Sequence, residues 1–371
     1  MPCNNSRKTD ELNLKIERIR TLLEKKELNA LLLQRVSSFA WATGGADSHI
    51  NTASSDGESS LLITPQNKFI ITTDVEVPRL ETEEELLNQG WDFKVFPWYE
   101  KKDNLTKFIG NTKLGTDGLY KEGVDLSEDI AWLRSQLTES EIERFRILSS
   151  LCAQCMRETI DLLKPGMTEH QIAGLLSQAA EKRGVQPVIN LVATDERVFS
   201  YRHPLPTDKK LQRYGMLVLC GRKWGLICSI TRLVHFGTLA EEIRLKSETL
   251  AYIDATMMAA TRPGNTLATI FKLAQDAYEQ AGYPAEWEKL HQGGLAGYEP
   301  REITATLATR QPILLNQIYA WNPSITGTKS EDTFLVGKQS NEILTEIPGW
   351  PTFDIQIGNE LIKRPQILEK K

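Results

Sequence analysis

Two stretches of this 371-residue chain repeat one another at a fixed offset of 98. Pro165-Gly166-x-Thr168, Ile172, Leu175, Ala179, Glu181 and Gly184 recur as Pro263-Gly264-x-Thr266, Ile270, Leu273, Ala277, Glu279 and Gly282. Amphipathic periodicity after a Pro-Gly stop accounts for the apolar positions, but not for the matched capping Thr and terminal Gly. A long unit present twice points to two similar α/β halves packed about a pseudo-twofold axis, because a solenoid needs three or more short repeats. Each copy is followed by strand-like runs: 216–220 and 224–233 after the first, 313–321 and 333–336 after the second. Two such sheets facing each other leave a cleft, a common place for a small-molecule site.

The chain before the repeat reads differently. Residues 12–26 carry Leu14, Ile16, Ile19, Leu22 and Leu23 at roughly helical spacing, followed by the apolar run 30–33. Residues 60–64 and 68–73 flank a Pro-Gln-Asn turn and predict a hairpin; 75–89 is acidic and predicts a helix, and 91–96 a strand. Thr138-Glu139-Ser140-Glu141 has the form of a capping box and opens about 24 residues of helical spacing. We therefore expect a mixed α/β domain over 1–137 and a second domain over 138–371. In the second, Thr168-Glu169-His170-Gln171 opens a helix to Arg183, closed by Gly184.

Charge narrows the partners. Forty-four Lys and Arg stand against 49 Asp and Glu, a formal net charge of -5 without a long run of one sign, so no nucleic acid is expected. No apolar stretch approaches the 18 residues of a spanning helix, and residues 1–12 are polar where a signal peptide needs an apolar run, so neither membrane nor export is expected. Five cysteines without a loop-rich scaffold fit a reducing, cytoplasmic setting, and Cys152-x-x-Cys155, inside a predicted helix, reads as packing. Gly-rich phosphate loops, H-E-x-x-H and G-x-S-x-G are absent from the sequence.

Three motifs, each in its repeat-defined place, carry a family resemblance. Ser229-Ile230-Thr231-Arg232, Gly294-Leu295-Ala296-Gly297 and Ser330-Glu331-Asp332-Thr333 resemble motifs of the pita-bread superfamily of Xaa-Pro aminopeptidases, prolidases, methionine aminopeptidases and creatinase. Trp41-Ala42-Thr43-Gly44-Gly45 is similar to the start of that family's creatinase-like amino-terminal domain. The resemblance implies a creatinase-like N-terminal α/β domain, a pita-bread C-terminal domain and a homodimer. Family peptidases hold two divalent metals with Asp, Asp, His, Glu and Glu. The matching positions here read Leu219, Ser229, Gly294, Asn322 and Glu331, with Leu219 uncertain by one residue. Four of the five ligands are thereby expected to be missing, and neutral side chains do not offset the dehydration of a hard cation. Neither metal nor other cofactor is expected. Cys220, Cys228 and His235 match no recognised zinc spacing.

Chemistry remains in what the resemblance carries over. His203 takes the place of the histidine beside the substrate, the acid/base of creatinase, which works without metal; a neutral imidazole can take and return a proton. Arg301 stands where a second substrate histidine is matched and either binds a carboxylate or pairs with Glu302 or Glu299. Glu331, without metal, either pairs with Arg232 or Arg202 or acts as a general acid or base, with Glu302 beside it in the family's H-E pair. His291 begins a Gly-containing stretch that lets a ligand approach or makes a plain turn, and Tyr298 and Trp321 line the cleft or pack in the core. The expected catalytic set is His203, Glu331 and Glu302. The expected substrate-binding set is Arg301, Arg202, Tyr298, His291, Arg232 and Asn322. Hydrolysis of an amide, peptide or amidine C–N bond in a small or peptide-like substrate is the leading expectation. The alternative is a non-catalytic relative that binds a peptide or metabolite.

Overall fold

The structure is a computed structural model and describes residues 5–100, 108–109, 112–118, 120 and 123–371. Residues 1–4 of the polar leading stretch, including Cys3, lie outside the described residues. The chain forms two compact units: one holds the chain to Arg134 with 138–140 and 224–226, the other 135–137, 141–223 and 227–371. No helix among the described residues is long and apolar enough to cross a membrane.

In the first unit the helix Asn5–Lys25 leads into β1 (Ala30–Arg35). β2 (Asp56–Ile63) and β3 (Lys68–Thr73) form the expected hairpin. β4 (Asp92–Phe96), β5 (Leu114–Thr116) and β6 (Gly123–Asp125) complete a six-stranded mixed sheet, ordered β4-β3-β2-β1-β5-β6. Alternating residues Leu32, Leu62, Ile71 and Leu114 face one buried cluster, as a period of two requires. The acidic helix expected over 75–89 shrinks to Val77–Thr82. Like charges at Glu83, Glu84 and Glu85 oppose its continuation, and Glu85 turns the chain away at φ 54°.

The second unit contains the repeat. Helix Glu139–Leu162 is followed by Glu169–Glu181, whose N-terminus carries a complete capping box: the Gln171 N–H donates to Thr168 Oγ1 (3.1 Å) and the Thr168 N–H to Gln171 Oε1 (2.9 Å). The second copy runs Glu241–Ala260 and then Leu267–Gln280, where Thr266 Oγ1 accepts from the Thr269 N–H (3.2 Å). Gly166 and Gly264 take φ 94° and 101°, and Gly184 and Gly282 take φ 63° and 83°. The duplicated glycines thus mark duplicated left-handed positions that L side chains avoid.

Its strands are β7 (Gln186–Thr194), β8 (Tyr214–Lys223), β9 (Leu226–Phe236), β10 (Gly293–Ala296), β11 (Ile303–Thr304), β12 (Ile318–Trp321), β13 (Ser324–Ile325), β14 (Thr328–Lys329), β15 (Asp332–Leu335), β16 (Glu342–Ile343), β17 (Thr352–Ile357), β18 (Glu360–Pro365) and β19 (Leu368–Lys370). They form a four-stranded sheet β19-β9-β8-β7, a five-stranded sheet β11-β10-β12-β15-β16 and two hairpins. The two larger sheets meet where Thr231 bridges Glu331. Trp224 and Gly225, expected in a strand, make the β8–β9 turn at φ 53° and 75°, the backbone a two-residue hairpin demands.

Candidate functional site

A cavity of about 260 Å³ opens where β7 and β8 approach the segments around β10, β12 and β14. One wall is apolar and follows from strand register. Ile189 pairs with Cys220 and Leu191 with Val218 across the antiparallel β7–β8 ladder, so these side chains share one face, with Pro300 beside them. The rest of the lining is polar: His203, His291, Arg301, Asn322, Lys329 and Glu331.

Glu331 is the centre of that polar group and is 3% exposed. Its Oε1 accepts from Arg301 Nη2 at 2.8 Å; its Oε2 accepts from Thr231 Oγ1 at 2.6 Å and is ion-paired with Lys329 Nζ at 3.0 Å. Burial alone would raise its pKa, but Lys329 and Arg301, with the hydrogen bonds from Thr231 and Arg301, outweigh burial and hold the carboxyl at about 2. Glu331 is therefore an ionised, fully engaged carboxylate at neutral pH.

The two histidines face one another with ring centroids 6.0 Å apart. Burial, followed by the Lys329 charge, lowers the His203 pKa, against the opposing pull of Glu331. Burial and Arg301 lower His291 to about 4. Both shifts favour the neutral imidazole, and at His291 the ring takes up a proton only in acid. Asn322 follows β12 directly and is held by its backbone N–H to Gln292 O (3.0 Å); its Oδ1 is buried and has no partner.

The structure thus brings together His203, His291, Arg301, Asn322 and Glu331 from the expected set. The other four side chains are engaged elsewhere. Glu302 Oε1 accepts the backbone N–H groups of Tyr298 (2.8 Å) and Glu299 (3.2 Å), which makes it a turn-closing carboxylate. Tyr298 is buried and donates to Glu141 Oε1 at 2.6 Å. Arg202 donates to Ser324 Oγ, Glu286 Oε2 and Thr326 Oγ1. Arg232 is paired with Asp332 at 2.8 Å and lies over Trp350. Neither Arg202 nor Arg232 is the ion-pair partner of Glu331, and Arg301 pairs with Glu331 rather than with Glu302 or Glu299. Trp321 is core, its Nε1 donating to Thr261 Oγ1.

Of the lining residues outside the expected set, Lys329 and Cys220 bear on the chemistry. Lys329 stands two before Glu331, and the spacing of two in extended chain that places both side chains on one face was the available signal. Cys220, rather than Leu219, faces the cavity, with its Sγ 3.2 Å from Ser229 Oγ. Burial raises that thiol to about 12, so it is not a nucleophile at neutral pH. A Cβ on Gly294 would lie 2.2 Å from Ile303 O, so that position cannot bear a side chain on this backbone. Among the described residues no group of three or more His, Cys, Asp or Glu stands as a metal-ligand set.

The fold and this cavity place the chain among pita-bread proteins, and comparison with known proteins specifies the family. The metallopeptidase family M24 profile matches residues 143–338, and the creatinase/prolidase N-terminal domain profile matches 15–136. The chain belongs to metallopeptidase family M24. Among curated relatives, an uncharacterized peptidase of Staphylococcus haemolyticus is 28% identical over 230 residues, 60% of this chain and 65% of the relative. An uncharacterized peptidase of Staphylococcus epidermidis is 30% identical over 239 residues, 60% of this chain and 66% of the relative. The chain thus spans just under two thirds of these relatives' length. Solved structures with the same fold include the prolidase of Pyrococcus horikoshii OT3 (TM-score 0.77, 19% identity, covering 90% of this chain and 98% of that one). The Xaa-Pro dipeptidase of Bacillus anthracis is similar to the same degree (0.78, 17%, 97% and 100%). The N-terminal domain of the FACT complex subunit SPT16 of Cicer arietinum also shares the fold (0.71, 12%, 91% and 97%). One fold thus carries proteins described in different terms, and function has to be argued from the site.

Proposed function

We propose that this chain is a metal-independent member of its family that hydrolyses the C–N bond of a small, peptide-like molecule in the 260 Å³ cavity. The observation that carries the proposal is the saturation of Glu331. Both carboxylate oxygens, which would face divalent cations in the family's site, are taken by the guanidinium of Arg301, the ammonium of Lys329 and the Thr231 hydroxyl. With Cys220, Ser229 and Asn322 neutral and Gly294 without a side chain, the residues do not fit a pair of hard cations, which need several carboxylate oxygens. Two basic side chains, Lys329 and Arg301, stand in place of the cations.

In the reaction, His203 takes a proton from a water whose oxygen forms a bond to the substrate carbonyl or amidine carbon. Lys329 and Arg301 lend positive potential to the developing oxyanion. As the C–N bond breaks, the imidazolium returns its proton to the leaving nitrogen, and His291 keeps the far side of the cavity uncharged. Replacement His203→Ala is expected to lower turnover by at least about a hundredfold, the usual scale of general acid–base assistance, with an unchanged melting temperature. Retention of full activity in that variant would refute the role.

A second reading, ligand binding without turnover, is favoured by one observation: Glu331 and Glu302 both have their carboxylates engaged by protein donors. A ligand that raises the melting temperature and emerges chemically unchanged distinguishes it. A cytoplasmic setting and a homodimer belong to the proposal. Buried free thiols at Cys152, Cys155, Cys220 and Cys228 support the first, and resemblance alone supports the second.

A further inference from the structure

Both histidines of the cavity stand on irregular backbone. His203 follows the short helix Glu196–Ser200, and His291 lies between the single 3-10 turn Glu286–Lys289 and β10. Lys329, their basic neighbour, ends the β13–β14 hairpin, whose turn is 326–327. Side chains from these three segments meet in one cluster beside the cavity. Arg202, next to His203, donates from Nε to Ser324 Oγ (3.1 Å) and from Nη2 to Glu286 Oε2 (3.1 Å) and Thr326 Oγ1 (3.0 Å). Glu286 Oε2 also accepts the Thr326 N–H (3.0 Å), and its Oε1 accepts from Lys289 Nζ (2.7 Å). The Thr326 hydroxyl donates its one proton to Glu286 and accepts from Arg202 and Lys289, which uses its full capacity. The Arg202 and Glu286 side chains are 14% and 13% exposed, so salt screens this pair less than a surface one.

We propose that Arg202 and Glu286 are positioning residues, which hold the His203 ring opposite the His291 ring by tying the three segments together at Thr326. The inference rests on the reading of the cavity as the reaction site and adds what fixes its geometry. Arg202 stands one residue before His203, Glu286 five before His291 and Thr326 three before Lys329, so a shift of any one segment breaks a charge-assisted bond to the others. The hairpin turn is fastened from its other side as well. Tyr214 Oη donates to Gly327 O (2.8 Å), and a Cβ on Gly327 would lie 2.5 Å from the ring of Phe199, four residues before His203. A proton acceptor on an irregular segment keeps a productive geometry only where the side chains beside it are locked. A misplacement of about 1 Å is worth on the order of a hundredfold in rate, so the cluster matters to turnover without touching substrate.

Nuclear Overhauser spectra of protein with only its five histidine rings protonated test this without a substrate, the two signals being assigned from His203→Ala and His291→Ala. With ring centroids 6.0 Å apart, a cross-peak between His203 and His291 is expected in the wild type. Glu286→Gln, which keeps the side chain's shape but removes the charge that faces Arg202, and Arg202→Met are each expected to lose most of its intensity at a temperature where every variant is folded. Glu360→Gln removes a 2.7 Å pair with Arg262 outside the cavity lining and is expected to keep the cross-peak, which separates positioning from general destabilisation. Wild-type intensity in both Glu286→Gln and Arg202→Met, or an equal loss in Glu360→Gln, overturns the positioning role and leaves the hydrolytic reading standing, since that reading is tested by turnover in His203→Ala. A wild-type protein without the cross-peak overturns the inference at its first step. Should Arg202→Met not fold, Glu286→Gln alone decides.

Discussion

At the residue scale the account turns on a carboxylate neutralised by protein cations. Taking Lys329 away leaves Glu331 buried with less compensating charge, so Lys329→Met is expected to destabilise the protein by about 3–5 kcal/mol in urea unfolding. Much of that loss should be recovered in Lys329→Met combined with Glu331→Gln; no recovery in the double variant contradicts the pairing. The same group predicts an acid limb. The Glu331 carboxyl is held at about 2, below its ordinary 4.5, so the unfolded chain binds more protons between those values. Its contribution, roughly 3 kcal/mol, is fully present above about pH 4.5 and lost as pH falls toward 2. His291, held at about 4 rather than 6.5, removes stability in the same direction between those two values, because the unfolded chain takes up the proton first. Melting temperatures measured from pH 7 down to 3 should therefore fall in two stages, the upper reduced in His291→Asn and the lower in Glu331→Gln. His203, Arg301, Asn322 and Glu331 were legible from motif positions. Their partners were not, because an ion pair between residues 30 apart in sequence depends on how two sheets meet. For that same reason the sequence did not show that Arg232 and Arg202 turn to Asp332 and Glu286, 100 and 84 residues away, while Glu302 closes its own turn against the Tyr298 N–H.

Among the elements, the capping residues and close-packed glycines were the strongest sequence signals. Thr168→Ala and Thr266→Ala are each expected to cost about 1 kcal/mol of stability, since each removes the side-chain acceptor for an N-terminal helix N–H. Unchanged urea midpoints would show that the caps are idle. A Cβ on Gly293, at φ 101°, would lie 2.2 Å from Ala320 O, and Gly294 offers no more room against Ile303 O. Introducing histidine at Gly294 should therefore disrupt β10 and β11 instead of creating a metal ligand, and a loss of cooperative melting is the expected result. The acidic stretch 75–89 misled the reading because helical composition does not reveal a left-handed residue at Glu85. β7 went unread because Pro187 and Asn190 interrupt its pattern.

Over the whole molecule, the internal duplication and the mixed N-terminal α/β pattern were visible in the sequence, because both rest on local periodicity and punctuation. The chemistry proposed for the cavity was only half visible, because the absence of carboxylates at motif positions can be read from sequence, whereas the pairing of Glu331 with Lys329 and Arg301 requires three dimensions. Family membership alone does not decide between metal-dependent and metal-free chemistry. The most direct test is elemental analysis of tag-free protein after equilibration with Mn, Co and Zn, with activity assayed in parallel on Xaa-Pro peptides and small secondary amides. The account predicts far less than one metal per chain, no Xaa-Pro cleavage, and turnover of the amide that chelators do not change. Two metals per chain with chelator-sensitive Xaa-Pro cleavage would contradict it.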